Sequence, residues 1–326
     1  MKDGASPEWF PFVFISCALI LLMICQDIYL LFQHKKYSTK CPIQFFCTVG
    51  ILQVYPFFAL MQLVSLVTPN SHHVVSFFTD AQEALSFLFF LRLLFTYMGG
   101  KKAAMLALKG EQMHLNVPPI CCLFCLPTVR FTKKFFFVCE LLVGLHSFFC
   151  ISVGFIDLLI SLDNNTSSIA RQENKKFVIS FHALSMIVLM LAIYGLSGIY
   201  HSAEEKLHNR GVVRKFLVYK IFTLSVKLED LLMVWLVKSD IINDDNFKFN
   251  KNFDAELRVK GVYAFFVVVQ ASIAFPLAAK FYSTEDYEKQ DQVESNEMRE
   301  ESGDKTKDGC DEKQQTEEVK EGFSSV

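Results

Sequence analysis

The chain has 326 residues, 52% of them hydrophobic and 34 of them Phe, with a formal net charge of -2. Its mean hydropathy is positive, which excludes an ordinary soluble domain, and nothing in its charge balance points to a nucleic-acid partner. The composition is that of an all-α integral membrane protein.

A bilayer span needs about 20 consecutive, mostly apolar residues. Seven such runs are present, at 9–32, 42–67, 74–98, 135–162, 177–200, 216–237 and 261–282. The first is too long for a signal-peptide core and has no small-x-small cleavage site, so it is expected to be retained. The charge is unevenly divided: residues 283–326 hold 15 acids and 6 bases, which leaves residues 1–282 at +7. With few large apolar side chains, that tail cannot bury enough surface to offset the entropy of ordering. The expected organisation is a seven-helix membrane domain over 1–282 and an acidic, disordered cytosolic tail over 283–326.

Orientation follows from Lys and Arg near the span ends. Inter-span loops one, three and five carry 3, 6 and 4 of them, whereas loops two, four and six carry 0, 3 and 5. The bias places the amino terminus outside and the carboxyl terminus in the cytosol. Loop four, then outside, holds overlapping N-glycosylation sequons at Asn164 and Asn165, a second and independent signal for the same orientation. None of the ten cysteines falls in an outside loop, so no extracellular disulfide framework is expected.

In chain order, the first span ends with Gln26, Asp27 and Tyr29, and the second opens at Cys41-Pro42 and contains Pro56, where a kink is expected. Gly-Gly-Lys-x-Ala follows at 99–103, then a basic loop with Pro118-Pro119-x-Cys121-Cys122-x-x-Cys125-x-Pro127, and later Lys215-Phe216-Leu217. Together these stretches resemble the alpha subunit of the organic solute transporter over most of the membrane domain. That resemblance implies seven spans, facilitated movement of sterol-derived and other organic anions, and a small single-span beta-type partner. The chain departs from the wider superfamily at Glu229, where Gln is usual, and its cysteine cluster is short.

The cysteine loop admits several readings. Zinc held by Cys121, Cys122, Cys125 and His114 would need chelation by adjacent cysteines, with only one Cys-x-x-Cys present, and a cytosolic disulfide is disfavoured. Apolar neighbours followed by Arg130, Lys133 and Lys134 suit reversible palmitoylation, in which acyl chain and basic residues give two membrane signals. That reading is preferred to inert cysteines, and no cofactor or metal is expected.

Ionisable residues inside spans are expensive, about 2.5 to 3.5 kcal/mol each at a helix centre on insertion scales, and so mark a substrate path or a structural polar network. They are Asp27, Asp80, Glu83, Arg92, Glu140, Lys220, Lys227, Glu229 and Asp230. Asp80 and Glu83 share one helix face. At 100° per residue, Lys220, Thr223, Lys227 and Asp230 fall within about 80° of one another, with Glu229 on the opposite side. Asp27, Arg92, Glu140 and Lys220 all lie roughly 7 to 9 Å from the cytosolic ends, where two acids and two bases would balance. Lys220 is close enough to that end to snorkel. Lys227 is near mid-span and needs a carboxylate or a ligand; Glu83, at similar depth, is its expected partner. His146 and His182 are read as locally hydrogen-bonded rather than as a proton relay, and Asp157, near the outer end of its span, as reaching the headgroups. Gly195 and Gly198 are expected to allow close helix contact.

No Gly-rich phosphate loop, His-Glu-x-x-His or Asp-His-His-Cys motif is present, which argues against an enzyme. The reading is a facilitative transporter of amphipathic organic solutes such as sterol conjugates, in the plasma membrane and endosomal membranes, with membrane lipids and a beta-type subunit as partners. The terminal Ser324-Ser325-Val326 also fits a PDZ-domain ligand. A seven-span receptor is the alternative, although Asp-Arg-Tyr after the third span, Asn-Pro-x-x-Tyr in the seventh and a bracing cysteine pair are all missing. A non-conducting trafficking protein of the same fold is the third reading. Acyl-biotin exchange tests the loop: replacing Cys121, Cys122 and Cys125 together by Ser is expected to remove most of the label, and undiminished labelling would assign acylation to other cysteines.

Overall fold

The computed structural model describes residues 10–68, 71–114, 128–162, 168–207, 210–239 and 255–288. The chain divides into two units, Met1–Tyr282 and Ser283–Val326. In the second unit the backbone is described only over 283–288, where the amides of Asp286 and Tyr287 bond to the carbonyls of Ser283 and Thr284.

In the first unit the long helices are α1 (Phe10–Lys35), α2 (Pro42–Leu52), α3 (Val54–Val67), α4 (His72–Tyr97), α6 (Lys133–Leu162), α7 (Ser168–Ser202), α9 (Val212–Lys238) and α10 (Ala255–Phe281). Two short ones, α5 (Lys101–Ala107) and α8 (Glu204–Leu207), and two strands, β1 (Gln112–His114) and β2 (Thr128–Arg130), complete the described elements. Among the described residues, six segments are long and apolar enough to cross a bilayer, lying in α1, α2 with α3, α4, α6, α7 and α10. The expected sixth span, α9, is a helix of 27 residues but falls outside that set. Its intrahelical charges lower its mean hydropathy without shortening it. Its outward face is nevertheless a stripe of exposed Leu217, Ile221, Leu224, Leu228, Leu231 and Trp235, spaced three and four apart as on one side of a helix.

The break in the second hydrophobic run lies at Gln53, three residues before Pro56. Proline has no N–H to bond the carbonyl of Leu52, and its ring crowds that carbonyl. The rungs on either side survive, Gln53 N to Val49 O at 2.9 Å and Phe57 N to Gln53 O at 3.1 Å, so the chain continues upward with one rung lost. Helix α4 ends where Gly99 and Gly100 take φ of 80° and 100°, a left-handed stop that favours glycine. The Gly100 amide closes the end on the Phe95 carbonyl at 2.8 Å.

After α5 the basic loop opens with a feature that hydropathy does not reveal. Strands β1 and β2 pair antiparallel, Gln112 opposite Arg130 and His114 opposite Thr128. They flank residues 115–127, so Cys121, Cys122 and Cys125 lie outside the described residues, as do Asn164, Asn165 and Ser324 to Val326.

The core is aromatic where α3, α9 and α10 meet. Tyr55 packs on Phe222 and Phe275 with ring centroids 4.9 and 6.1 Å apart, and Phe58 on Phe222 at 5.7 Å. All four are buried. Helices α4, α6 and α7 pack closely through small residues: a Cβ on Gly154 would lie 3.4 Å from the Phe77 backbone, and one on Gly195 would lie 3.0 Å from the Cys139 carbonyl oxygen. The Gly195 contact is with backbone, which has nowhere to move. Replacing Gly195 by Leu is therefore expected to lower stability by about 1–3 kcal/mol through overpacking, read as a reduced melting temperature of the detergent-solubilised protein. An unchanged melting temperature would show that α6 and α7 do not meet at this point.

Candidate functional site

Helices α4 and α9 run antiparallel, and their shared seam holds Asp80, Glu83, Lys220 and Lys227. Lys227 donates a hydrogen bond to Asp80 Oδ1 and stands 3.6 Å from Glu83 Oε2. Asp80 and Glu83 are on one face of α4 because they are three residues apart, so one ammonium can engage both. The two carboxylates are 8% and 2% exposed, whereas the Lys227 side chain is 34% exposed. The exposure is that of the Lys227 side chain as a whole, and the two acids are the more deeply buried members of the cluster.

One level along the seam, Lys220 lies over the face of Phe87, its Nζ 3.2 Å from the ring centroid and 4.8 Å from that of Tyr219. The Tyr219 hydroxyl donates to the Glu83 carbonyl at 3.2 Å. Snorkelling is not what Lys220 does: its Nζ is buried and has no hydrogen-bond partner among the described residues. A desolvated cation–π contact is worth about 2 kcal/mol, against several kcal/mol for removing an ammonium from water. The contact with Phe87 does not by itself offset that cost. Further along, buried Lys215 donates to the Tyr97 hydroxyl at 2.9 Å, and Arg210 lies over the same ring with its Cζ 5.4 Å from the centroid.

Helix α6 closes the cluster from the other side of α4. Ser147 donates to the Ala84 carbonyl at 3.0 Å. The ring of buried His146 meets that of Phe87 edge to face at 4.8 Å, and its Nδ1 is 3.6 Å from Cys150 Sγ. His146 is thus held locally, and Asp157 likewise pairs with His73 Nδ1 at 2.9 Å. The side chain of His182 lies outside the described residues, as does that of Asp230.

The expected cytosolic-side layer does not assemble into one network. Asp27 accepts from Gln53 Nε2 at 2.8 and 2.7 Å, Glu140 pairs with Lys101 at 2.6 Å, Lys220 meets Phe87, and Arg92 is exposed. Equal depth brought these four no contact with one another because they sit at different azimuths on different helices. Glu229, on the far side of α9 from Lys227, accepts from Gln270 Nε2 of α10, and Gln270 Oε1 accepts from Ser225 at 3.3 Å. Gln53, Gln270, Phe87 and Lys101 were not singled out as site residues from the sequence. The one signal for Gln270 is a lone amide in a stretch with no charge between Gly261 and Ala279, and for Gln53 its place three residues before a proline.

The family described as organic solute transporter Ostalpha matches residues 12–287. No curated protein and no solved structure matches the chain. The chain belongs to the organic solute transporter alpha family, whose members are transporters and not enzymes, and it is an all-helical multi-pass membrane protein.

The Lys227 cluster generates a stability test. Removing one partner of a buried ion pair costs about 3–5 kcal/mol, because the other charge is left behind, while replacing both partners is far better tolerated. Asp80→Asn with Glu83→Gln, and separately Lys227→Met, are each expected to lower the melting temperature of the solubilised protein, and the variant combining all three to recover most of the loss. Additive losses would mean that the lysine and the two acids are not coupled.

Proposed function

We propose that this member of the organic solute transporter alpha family is a facilitative carrier of amphipathic organic anions, including sterol conjugates, with Lys227 as the group that first receives the anion. The observation that carries this reading is the ammonium of Lys227 shared by two more deeply buried carboxylates. In the absence of solute, Asp80 and Glu83 hold the cation at depth and offset its cost of burial. An incoming carboxylate, sulfate or sulfonate approaches the exposed side of Lys227 and competes with the two acids for it. Acids outnumber Lys227 at this level, yet they do not repel the solute outright, because Lys227 stands between them and the approach.

Other parts of the chain fit this reading. The exposed apolar stripe on α9, beside its polar seam, supports a seventh crossing, with the amino terminus outside and the tail of 283–326 in the cytosol, in line with the Lys and Arg counts. The same topology puts Asn164 and Asn165 where they accept glycans and Cys121, Cys122 and Cys125 where they accept acyl chains. A single-span beta-type subunit in the surrounding lipid, a PDZ domain on Ser324-Ser325-Val326, and residence in plasma and endosomal membranes complete the proposal.

Vesicle uptake of a radiolabelled sterol sulfate tests it. At matched surface levels Lys227→Ala is expected to abolish uptake, while Glu83→Gln weakens the competing pair and lowers KM. Normal anion uptake by Lys227→Ala would make Lys227 structural and favour an uncharged or cationic cargo.

A further inference from the structure

Six described acids within the long helices are hydrogen-bonded or ion-paired to residues other than Lys220. Asp27 is bonded by Gln53, Glu140 by Lys101, Asp157 by His73, Glu229 by Gln270, and Asp80 and Glu83 by Lys227. Of the two seam lysines of mid-helix α9, Lys220 is the one whose buried Nζ has no hydrogen-bond partner among the described residues. It lies seven residues from Lys227, two helical turns or about 10.5 Å along the same face. Phe87, on which it rests, is four residues from Glu83 on α4, so both lysines look into one seam.

We propose that Lys220 is a second station for the anion: the anionic group of the solute passes from Lys227 to Lys220 on its way along the α4–α9 seam. This inference rests on the reading of Lys227 as the first. Two features of the seam suit the transfer. No carboxylate is hydrogen-bonded to Lys220 Nζ among the described residues, so an anion arriving there has no bonded acid to displace, as it must at Lys227. Beyond Lys220 the seam continues through the contact of Phe90 with Phe216, ring centroids 5.1 Å apart, to Lys215, Tyr97 and Arg210, so positive charge recurs toward the amino-terminal end of α9. The ligand class is a monoanionic carboxylate, sulfate or sulfonate on an apolar body, and Lys220 serves its movement, not its first capture.

The kinetic consequence separates the two lysines. Uptake of a radiolabelled sterol sulfate is measured over a range of concentrations in vesicles from cells expressing the full chain, with surface levels matched. Lys220→Met, which replaces the ammonium by an apolar side chain of similar length, is expected to lower Vmax by about tenfold while KM moves less than about threefold. Lys220→Arg keeps the positive charge and is expected to recover a substantial part of Vmax, showing that the loss in the Met variant is one of charge. A Met variant with wild-type Vmax and KM overturns the second station and leaves the role of Lys227 intact. A raised KM at unchanged Vmax also overturns it, since Lys220 would then act in capture. Absence of sterol sulfate uptake by the unaltered chain overturns the Lys227 reading itself, and the second station with it.

Discussion

Burying the charge of Lys227 constrains everything around it. In hydrocarbon an ammonium has no water to turn to, so its partners must come from the protein. Asp80 and Glu83 supply them from α4, which fixes the register of α4 against α9 at that level. Ser147 on the Ala84 carbonyl and His146 on the ring of Phe87 then tie α6 to the same stretch of α4. Three helices are placed by one cluster, and the aromatic contacts of Tyr55, Phe222 and Phe275 fill the side of α9 that the cluster leaves free.

Helix α9 is consequently two helices in one. Its seam side carries Lys227, Lys220 and Thr223, and the exposed stripe of Leu217, Ile221, Leu224, Leu228 and Leu231 runs directly beside it. Five charges between Val212 and Glu229 set it apart from its more apolar neighbours. Lys227 and Glu229 are tolerable only once α4 and α10 are in place, because Asp80, Glu83 and Gln270 are what satisfy them. Such a helix gains its stability from assembly, not from its own transfer into lipid.

The surrounding scaffold is built from close backbone approach. Gly154 and Gly195 bring α6 against α4 and α7 with no side chain between, and Phe89 occupies the space that Gly50 leaves on α2, where an added Cβ would lie 2.5 Å from its ring. The lost rung at Pro56 has a different use. It sits beside Gln53, whose amide holds Asp27 of α1, so the irregular point of one helix coincides with the polar anchor of another. A half-buried carboxylate is thereby satisfied with no cation.

The amino-acid sequence by itself determined the class, the positions of the long helices and the list of costly charges, because each depends on local quantities: run length, residue type and 100° steps around one helix. Asp80 beside Glu83 on α4, and Glu229 turned away from Lys227 on α9, followed from that spacing alone. Which charges meet was decided only by the tertiary structure. Depth along the bilayer grouped Asp27, Arg92, Glu140 and Lys220, yet Asp27 meets Gln53, Glu140 meets Lys101, Lys220 meets Phe87 and Arg92 is exposed. Depth is one coordinate, and contact also needs the azimuth of each helix and the identity of its neighbour, neither of which is written in a single helix's periodicity. The β1–β2 pairing was hidden for the same reason, since three-residue strands on either side of a long loop have no period of their own and exist only through each other's hydrogen bonds.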